Sequence, residues 1–461
     1  MDHLPILDFA ATMASLPPQQ PDEGLDEAIA YSLAERFDVV IVLDDDPTGT
    51  QTVYNIPIIT ELTEAAFLTE LQRESSLFYV LTNSRAYPTR EVAEGSVILG
   101  ATIQTACAKA GKRPLVIIRG DSTLRGHFDH EDRYLAAGLG RDGQRPFLLP
   151  AFFEGGRYTI GDVHYVKQGK QLVPAAQTPF AADKTFGYSQ SNLLGWVKEK
   201  STSSHPTSIS LTNLRVKFPT ALRDKIIHKE HDQACIINAA DYLDLKRAAL
   251  YILRFAARPL LRTSASFIKA LLGQEDRPYL TFTRPAGRGA LFLVGSHVPK
   301  TTSQLKHLKA NADLTFIELD VPSLISGAPT PSGEDIATKI DQAVSKGQDV
   351  LCHTSRKLVT VPEKDDNLGI AEKVSGYCQS IVRALKEQPA LLLTKGGITS
   401  SDIATKALGV KRAVALGQVQ AGVPTWELGP ESKFPGMPFV IYPGNVGEVD
   451  GLTSILQNTL R

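Results

Sequence analysis

Cysteine is scarce in this chain: four residues in 461, Cys107, Cys235, Cys352 and Cys378, with no C-x-x-C pair among them. That spacing argues against zinc ribbons and a disulfide-stapled secreted scaffold, and predicts a reducing, cytoplasmic setting. Net charge is nearly missing as well. Lys+Arg 49 against Asp+Glu 50 leaves −1, so no broad field draws the chain to nucleic acid or to an acidic membrane, and neither is expected as a partner. Any bound anion must meet a local positive site. Apolar stretches such as AALYILRFAA are broken by charge well short of a membrane span. The first residues, MDHLPILDFAATMASLPPQQPDEG, have no basic stretch leading into an apolar core, so no secretory signal is predicted. Two phosphate-binding fingerprints are absent too. No G-x-x-x-x-G-K-[ST] occurs, which excludes a Walker-type loop, and the lack of G-x-G-x-x-G after the first strand speaks against a dinucleotide.

What is present is alternation. The length exceeds one hydrophobic core, so two or three domains are expected. After an arm and helix over residues 1–37, short Val/Ile/Leu runs (VVIVL, LFYVL, PLVII, PFLLP) alternate with helix-length amphipathic segments such as Thr89–Gly111. Continuous apolar strands alternating with helices predict a mostly parallel sheet covered on both faces. Tyr158–Val173 alternates polar and apolar residues, which suggests an antiparallel insertion. A second cycle follows with ALFLVG, LTFIELD, DVLCHTS, ALLLTKGG and PFVIYPG. The Pro, Gly and Arg of LLGQEDRPYLTFTRPAGRG mark the boundary. The expectation is two α/β domains, 38–275 and 285–461, with an active site in the cleft between them.

In open α/β sheets, ligands bind beyond the carboxyl ends of the strands. Here the strand ends run into DDDPTGT, TNSRAYP and RGDSTLRGH in the first domain, and into GSHVPKTTS, HTSRK, KGGITSSD and PGNVG in the second. Three adjacent aspartates, Asp44, Asp45 and Asp46, repel one another and lose solvation at the end of a buried strand, a local conflict that sequences keep mostly where a site needs it. The first set suits a small polyhydroxylated anion. Arg85 and Arg125 offer planar forks for a carboxylate. Asp45, Asp46 and Asp121 offer acceptors or a base, and Ser84, Ser122 and Thr123 add hydrogen bonds. The second set suits a phosphate. Gly396 and Gly397 free the backbone, and Thr399, Ser400 or Ser401 cap a helix beginning near Asp402, whose positive end attracts anions. His127, Asp129, His130, Glu131 and Asp132 form no strong metal-ligand spacing; an acidic first helical turn accounts for the three carboxylates.

DDDPTGT, TNSR, DSTLRGH, then GS, KGG-x-TS and PGN-x-G, in this order, resemble the four-carbon acid sugar kinases, roughly from Asp38 to Leu460. The resemblance implies an N-terminal sugar-acid domain and a C-terminal nucleotide domain. It places Asp45, Asp46, Ser84, Arg85, Asp121, Ser122, Thr123 and Arg125 against the sugar acid, and Ser296, Gly396, Gly397, Ile398, Thr399, Gly444 and Asn445 against ATP. The chain departs from the family pattern in four places. Asp44 and Thr50 replace alanines in the first motif, with Pro47 at its variable place. Val298 stands where a second serine follows Gly295-Ser296-His297. Ile398 replaces a common acidic residue, and Tyr442-Pro443 replaces Lys-Ser.

The expected chemistry is phosphoryl transfer from ATP to the terminal hydroxyl of a short sugar acid, which needs positioning and charge neutralisation more than covalent help. Asp45 or Asp121 would accept the hydroxyl proton, and another aspartate would hold Mg²⁺ directly or through water. Two rivals differ in class. One is a haloacid-dehalogenase-like phosphatase using the Asp44-x-Asp46 loop, for which the late Asp365-Asp366 pair follows no apolar run. The other is a non-catalytic sugar-acid sensor. Nothing in the sequence excludes a homo-oligomer.

Overall fold

The computed structural model describes the chain apart from residues 1–3, 22, 74, 202–204, 217–219, 228–231, 297, 357–363 and 445, and apart from the side chains of 221, 364–369 and 371. The chain divides into two compact units. The first comprises Met1–Thr52 and Glu61–Asp276, the second Val53–Thr60 and Arg277–Arg461. The units part at Asp276 and Arg277, residues 1–37 fall with the first unit, and the short segment Val53–Thr60 belongs to the second.

The first unit is built on seven parallel strands in the spatial order Thr207–Ile209, Cys235–Ile237, Phe147–Leu149, Leu261–Thr263, Pro114–Arg119, Val39–Asp44, Leu77–Leu81. The runs VVIVL and LFYVL are buried along their whole length, as strands covered on both faces must be. Helices Thr89–Ala110, His130–Gly138 and Tyr242–Phe255 are among the cover. Strand order reverses beside Val39–Asp44: the next strand of this unit, Leu77–Leu81, lies on one side, and Pro114–Arg119 lies on the other. That reversal opens a crevice at the carboxyl ends of these two strands. The expected insertion is antiparallel. Arg157–Ile160, Val163–Gln168 and Gln171–Pro174 pair in sequence, and Leu7–Asp8 adds to the outer edge.

The second unit has five parallel strands in the order Thr315–Leu319, Val350–Thr354, Leu291–Val294, Leu392–Lys395, Pro438–Tyr442. Its reversal falls between Leu291–Val294 and Leu392–Lys395. The sheet is mostly parallel, as expected, with one addition. An antiparallel extension of Val423–Leu428, Arg412–Gln420 and Ile56–Ile59 continues from Pro438–Tyr442. The sequence announces this hairpin by strict alternation, since RAVALGQVQ buries every second residue. Phe292, Val294, Leu305, Leu308, Leu391 and Tyr442 lie in the core of this unit.

Candidate active site

Three loops meet at the crevice of the first unit: residues after Asp44, after Leu81 and after Arg119. The second carries a non-glycine residue with positive φ, Asn83 at 52°, and the third carries Leu124 at 67° and, at the following helix start, Asp129 at 70°. Such conformations cost about 1–3 kcal/mol each and persist where surrounding structure over-determines them. For Leu124 that structure is visible. Its side chain is buried with Phe128 and Trp196, whose rings lie 4.5 Å apart.

The three aspartates resolve their repulsion by facing different surroundings. Asp44 is buried, and its carboxylate lies where a Cβ on Gly49 would sit, 2.0 Å from both oxygens. Only glycine fits the Thr-Gly-Thr turn there. Burial pushes the Asp44 carboxyl well above the usual range, with Arg119, 3.5 Å away, opposing. Asp45 is 1% exposed, and burial raises it to about 6 against the pull of Arg85 at 3.1 Å and Arg119 at 3.4 Å. Asp46 sits at the rim. Burial is outweighed there by Arg85 at 2.9 Å and by Thr48, whose backbone N–H donates to Oδ1, so its carboxyl is held below the usual range. Asp121 is partly buried too, yet Arg125 at 2.9 Å and Arg85 at 3.6 Å keep it far below the carboxylate range. Of the two carboxylates singled out as bases, Asp45 is the one poised near neutrality.

The sequence-predicted residues of this unit come together. Arg85 reaches Asp45, Asp46 and Asp121 at once, and Arg125 holds Asp121 through Nε while Asp183 lies 3.8 Å from its Nη1. Both arginines thus meet aspartates in the structure. Ser84 and Ser122 are buried at the loop ends, and the Ser84 hydroxyl has no hydrogen-bond partner among the described residues. Thr123 donates its hydroxyl to Asp121. Sequence reasoning passed over three buried arginines: Arg119, Arg145 and Arg262. Arg262 pairs with Glu131 at 3.0 Å and Asp132 at 2.8 Å, and Arg145 with Asp129 at 3.0 Å. The acidic turn 129–132 is therefore a buried ion-pair cluster as well as a complement to the helix dipole. Among the described residues, no group of three or more His, Cys, Asp or Glu side chains could hold a metal ion.

At the reversal of the second unit, Ser296, Gly396, Thr399 and Gly444 converge. The Ser296 N–H donates to the Lys395 carbonyl at 3.1 Å, and Gly396 N–H to Tyr442 at 2.9 Å. Thr399 Oγ1 lies 2.4 Å from the Cβ position of Gly295, and Ser296 Oγ 3.0 Å from that of Gly444. Gly396 has φ +118°, which L side chains avoid, whereas Gly397 is an ordinary first helical residue. The helix begins at Gly397 and its α portion ends at Asp402, earlier than the expected start near Asp402; Gly396 precedes it without a side-chain cap. Because no serine or threonine caps the helix, its first N–H groups stay available. Gly397 is partly buried, Ile398 is 58% exposed, and Asn445 lies outside the described residues.

Three basic side chains, Lys395, Lys300 and Arg356, surround this convergence that glycine-based reasoning did not select. Lys395 is fully buried. Its Nζ donates to the Pro443 carbonyl at 2.9 Å and lies 3.7 Å from the Tyr442 ring centre. Burial, reinforced by Lys300, lowers it to about 6. Arg356 donates to the Ser296 carbonyl at 2.8 Å and to Thr302. No carboxylate of the described residues lies within ion-pair distance of Lys395, Lys300 or Arg356.

Comparison with known proteins also separates an N-terminal from a C-terminal part. A sugar-binding N-terminal domain family matches residues 40–271, and a nucleotide-binding C-terminal domain family matches residues 291–452. Among solved structures, a Haemophilus influenzae protein from a domain family without assigned function aligns at TM-score 0.59 and 17% identity. A Salmonella typhimurium LT2 protein, provisionally named a tRNA synthase, aligns at 0.64 and 17%. In both cases the alignment covers 90% of this chain and 98% of the other. At such identity these likenesses speak for the fold alone. No curated protein matches the chain. With a sugar-binding domain followed by a nucleotide-binding one, the chain belongs to the four-carbon acid sugar kinase family.

Proposed function

We propose that the protein transfers the γ-phosphoryl group of ATP to the terminal hydroxyl of a four-carbon sugar acid. Asp45 is the general base. Its pKa of about 6 leaves it ionised at neutral pH and still basic enough to take the hydroxyl proton. Asp46, Ser84, Ser122, Thr123 and Arg125 line the substrate, and Asp121 orients Arg85 and Arg125. In the second unit Ser296, Gly396, Gly397, Ile398, Thr399, Gly444 and Asn445 face the nucleotide, with Lys300 and Arg356 supplying charge and the buried Lys395 amine beside them. Mg²⁺ enters as the ion carried by the nucleotide's own phosphates. The aspartates, each matched by a guanidinium, do not suit a resident metal centre.

The observation that carries this reading is the contrast between the two strand-order reversals. One is crowded with carboxylate–arginine pairs and hydroxyls, suited to a polyol. The other presents cations without carboxylates, suited to a polyphosphate. The phosphatase reading is weakened because its nucleophile, Asp44, is buried against Gly49. A panel of four-carbon sugar acids, assayed with Mg·ATP for ADP release and by thermal shift, tests the proposal. Turnover with at least one acid is expected. Stabilisation by a sugar acid without ADP release would instead favour a sensor, and no response to ATP would end the kinase reading.

A further inference from the structure

The arginines expected to grip the substrate's carboxylate are already engaged. Arg85 shares three aspartates, and Arg125 gives its Nε to Asp121 with Asp183 nearby. Arg157, on the inserted strand Arg157–Ile160, is different. It has no carboxylate within ion-pair distance among the described residues, and its Nε is buried without an acceptor. Among the described residues, the one hydrogen bond its guanidinium makes is from Nη1 to the Gly155 carbonyl. Its guanidinium carbon lies 5.5 Å from the Phe180 ring centre and 6.0 Å from that of Phe152, while Arg125 lies 5.4 Å from the same Phe180 ring. The two guanidiniums thus share one aromatic plate. Arg125, which shares the Phe180 ring with Arg157, holds Asp121, so Arg157 stands beside the Asp121 loop of the crevice.

We propose that Arg157 is the residue that recognises the substrate's carboxylate. A guanidinium partly withdrawn from water without a counter-ion is costly, and aromatic contacts and one carbonyl offset only part of that cost. A carboxylate entering beside Phe180 supplies the missing partner as a planar two-oxygen acceptor for the arginine fork. Arg125 then borders the hydroxyl-bearing part of the ligand. The antiparallel insertion thereby becomes the part of the first unit that distinguishes a sugar acid from a neutral polyol of the same length.

The inference rests on the sugar-acid reading, and the wild-type arm of its test separates the two. Calorimetric titration with threonate and erythronate, and with the corresponding neutral tetritols, is run on the full chain, on Arg157→Gln, on Arg157→Lys, and on Arg141→Gln as control. Arg141 also has no carboxylate within ion-pair distance among the described residues, but it donates to the Pro259 carbonyl and the charge acting on it is Arg258. The wild type is expected to prefer the acid, and Arg157→Gln to lose about tenfold to hundredfold of acid affinity, the usual range for a charged hydrogen bond. Tetritol and ATP affinities should hold. Arg157→Lys, which keeps charge but loses the fork, should fall between. Unchanged acid affinity in folded Arg157→Gln and Arg157→Lys, or an equal loss in Arg141→Gln, overturns the assignment. A wild type indifferent to every acid overturns it together with the sugar-acid reading itself.

Discussion

A single buried carboxylate sets the expected pH behaviour. Asp45 must be ionised to take a proton, so kcat/KM should rise about tenfold per pH unit up to about 6 and then level. Asp45→Asn should cut kcat by ~10²–10⁴-fold, with ATP affinity unchanged. The folded value lies above the free value of 3.8, so folding takes up a proton between about pH 4 and 6. The cost of carrying this charge is full above that window and vanishes below it. At pH 7.5 the asparagine variant should therefore unfold no more easily than wild type, gaining up to about 3 kcal/mol, with the gain fading toward pH 4. Near-normal turnover in Asp45→Asn, together with a dead Asp121→Asn, would move the base to Asp121. Lys395 has the opposite proton balance. Its folded value of about 6 lies below the free value of 10.5, so the unfolded chain holds more protons across that interval and stability rises with pH through it. Lys395→Met should raise the Tm at pH 7, by less at pH 10, while weakening ATP binding. A Tm gain that does not depend on pH would mean the lysine is not held neutral.

At the level of elements, the loop that holds Asp121 is braced by the insertion. His164 Nε2 meets the Ser122 carbonyl at 2.8 Å, and the Tyr188 hydroxyl donates to the Thr123 carbonyl at 2.9 Å. Tyr188→Phe removes one brace while conserving shape. It should raise KM for the sugar acid several-fold to tenfold, in line with one lost buried hydrogen bond, and leave the nucleotide Kd alone. An unchanged KM would show that the loop's own bonds suffice. Much of this scale was legible beforehand. Strand ends could be read from apolar runs breaking into Asp, Arg, Ser and Gly, because ligand position in α/β sheets follows from topology, not from any one side chain. The antiparallel insertion was legible from its period. The start of the helix at Gly397 was not, because serine and threonine in KGGITSS suggested a side-chain cap that the backbone at Gly396 makes unnecessary. Nor were the carboxylate partners of Arg119 and Arg262, which lie far away in sequence, or the lack of one for Arg157 among the described residues. An arginine at the end of a strand carries no local sign of being paired.

Over the whole molecule, a net charge of −1 hides two local environments of different character, and composition could exclude a general attraction to polyanions without locating the cations that oppose it. The least legible feature was the membership of Val53–Thr60. Nothing in NIPII says that Ile56–Ile59 pairs with Arg412–Ala415 instead of with strands nearer in sequence. That pairing means the chain passes from one unit to the other after Thr52, after Thr60 and again after Asp276. Dissection by a single cut will therefore fail. A fragment of residues 277–461 would leave the backbone of Arg412–Ala415 as a bare edge, the kind of surface that templates aggregation. Light scattering should show it associating, and appending residues 53–60 through a flexible linker should restore a monodisperse fragment; equal behaviour of the two would show the strand to be dispensable. Recombination between relatives meets the same constraint: exchanging the nucleotide-binding half requires transplanting two separate stretches of coding sequence.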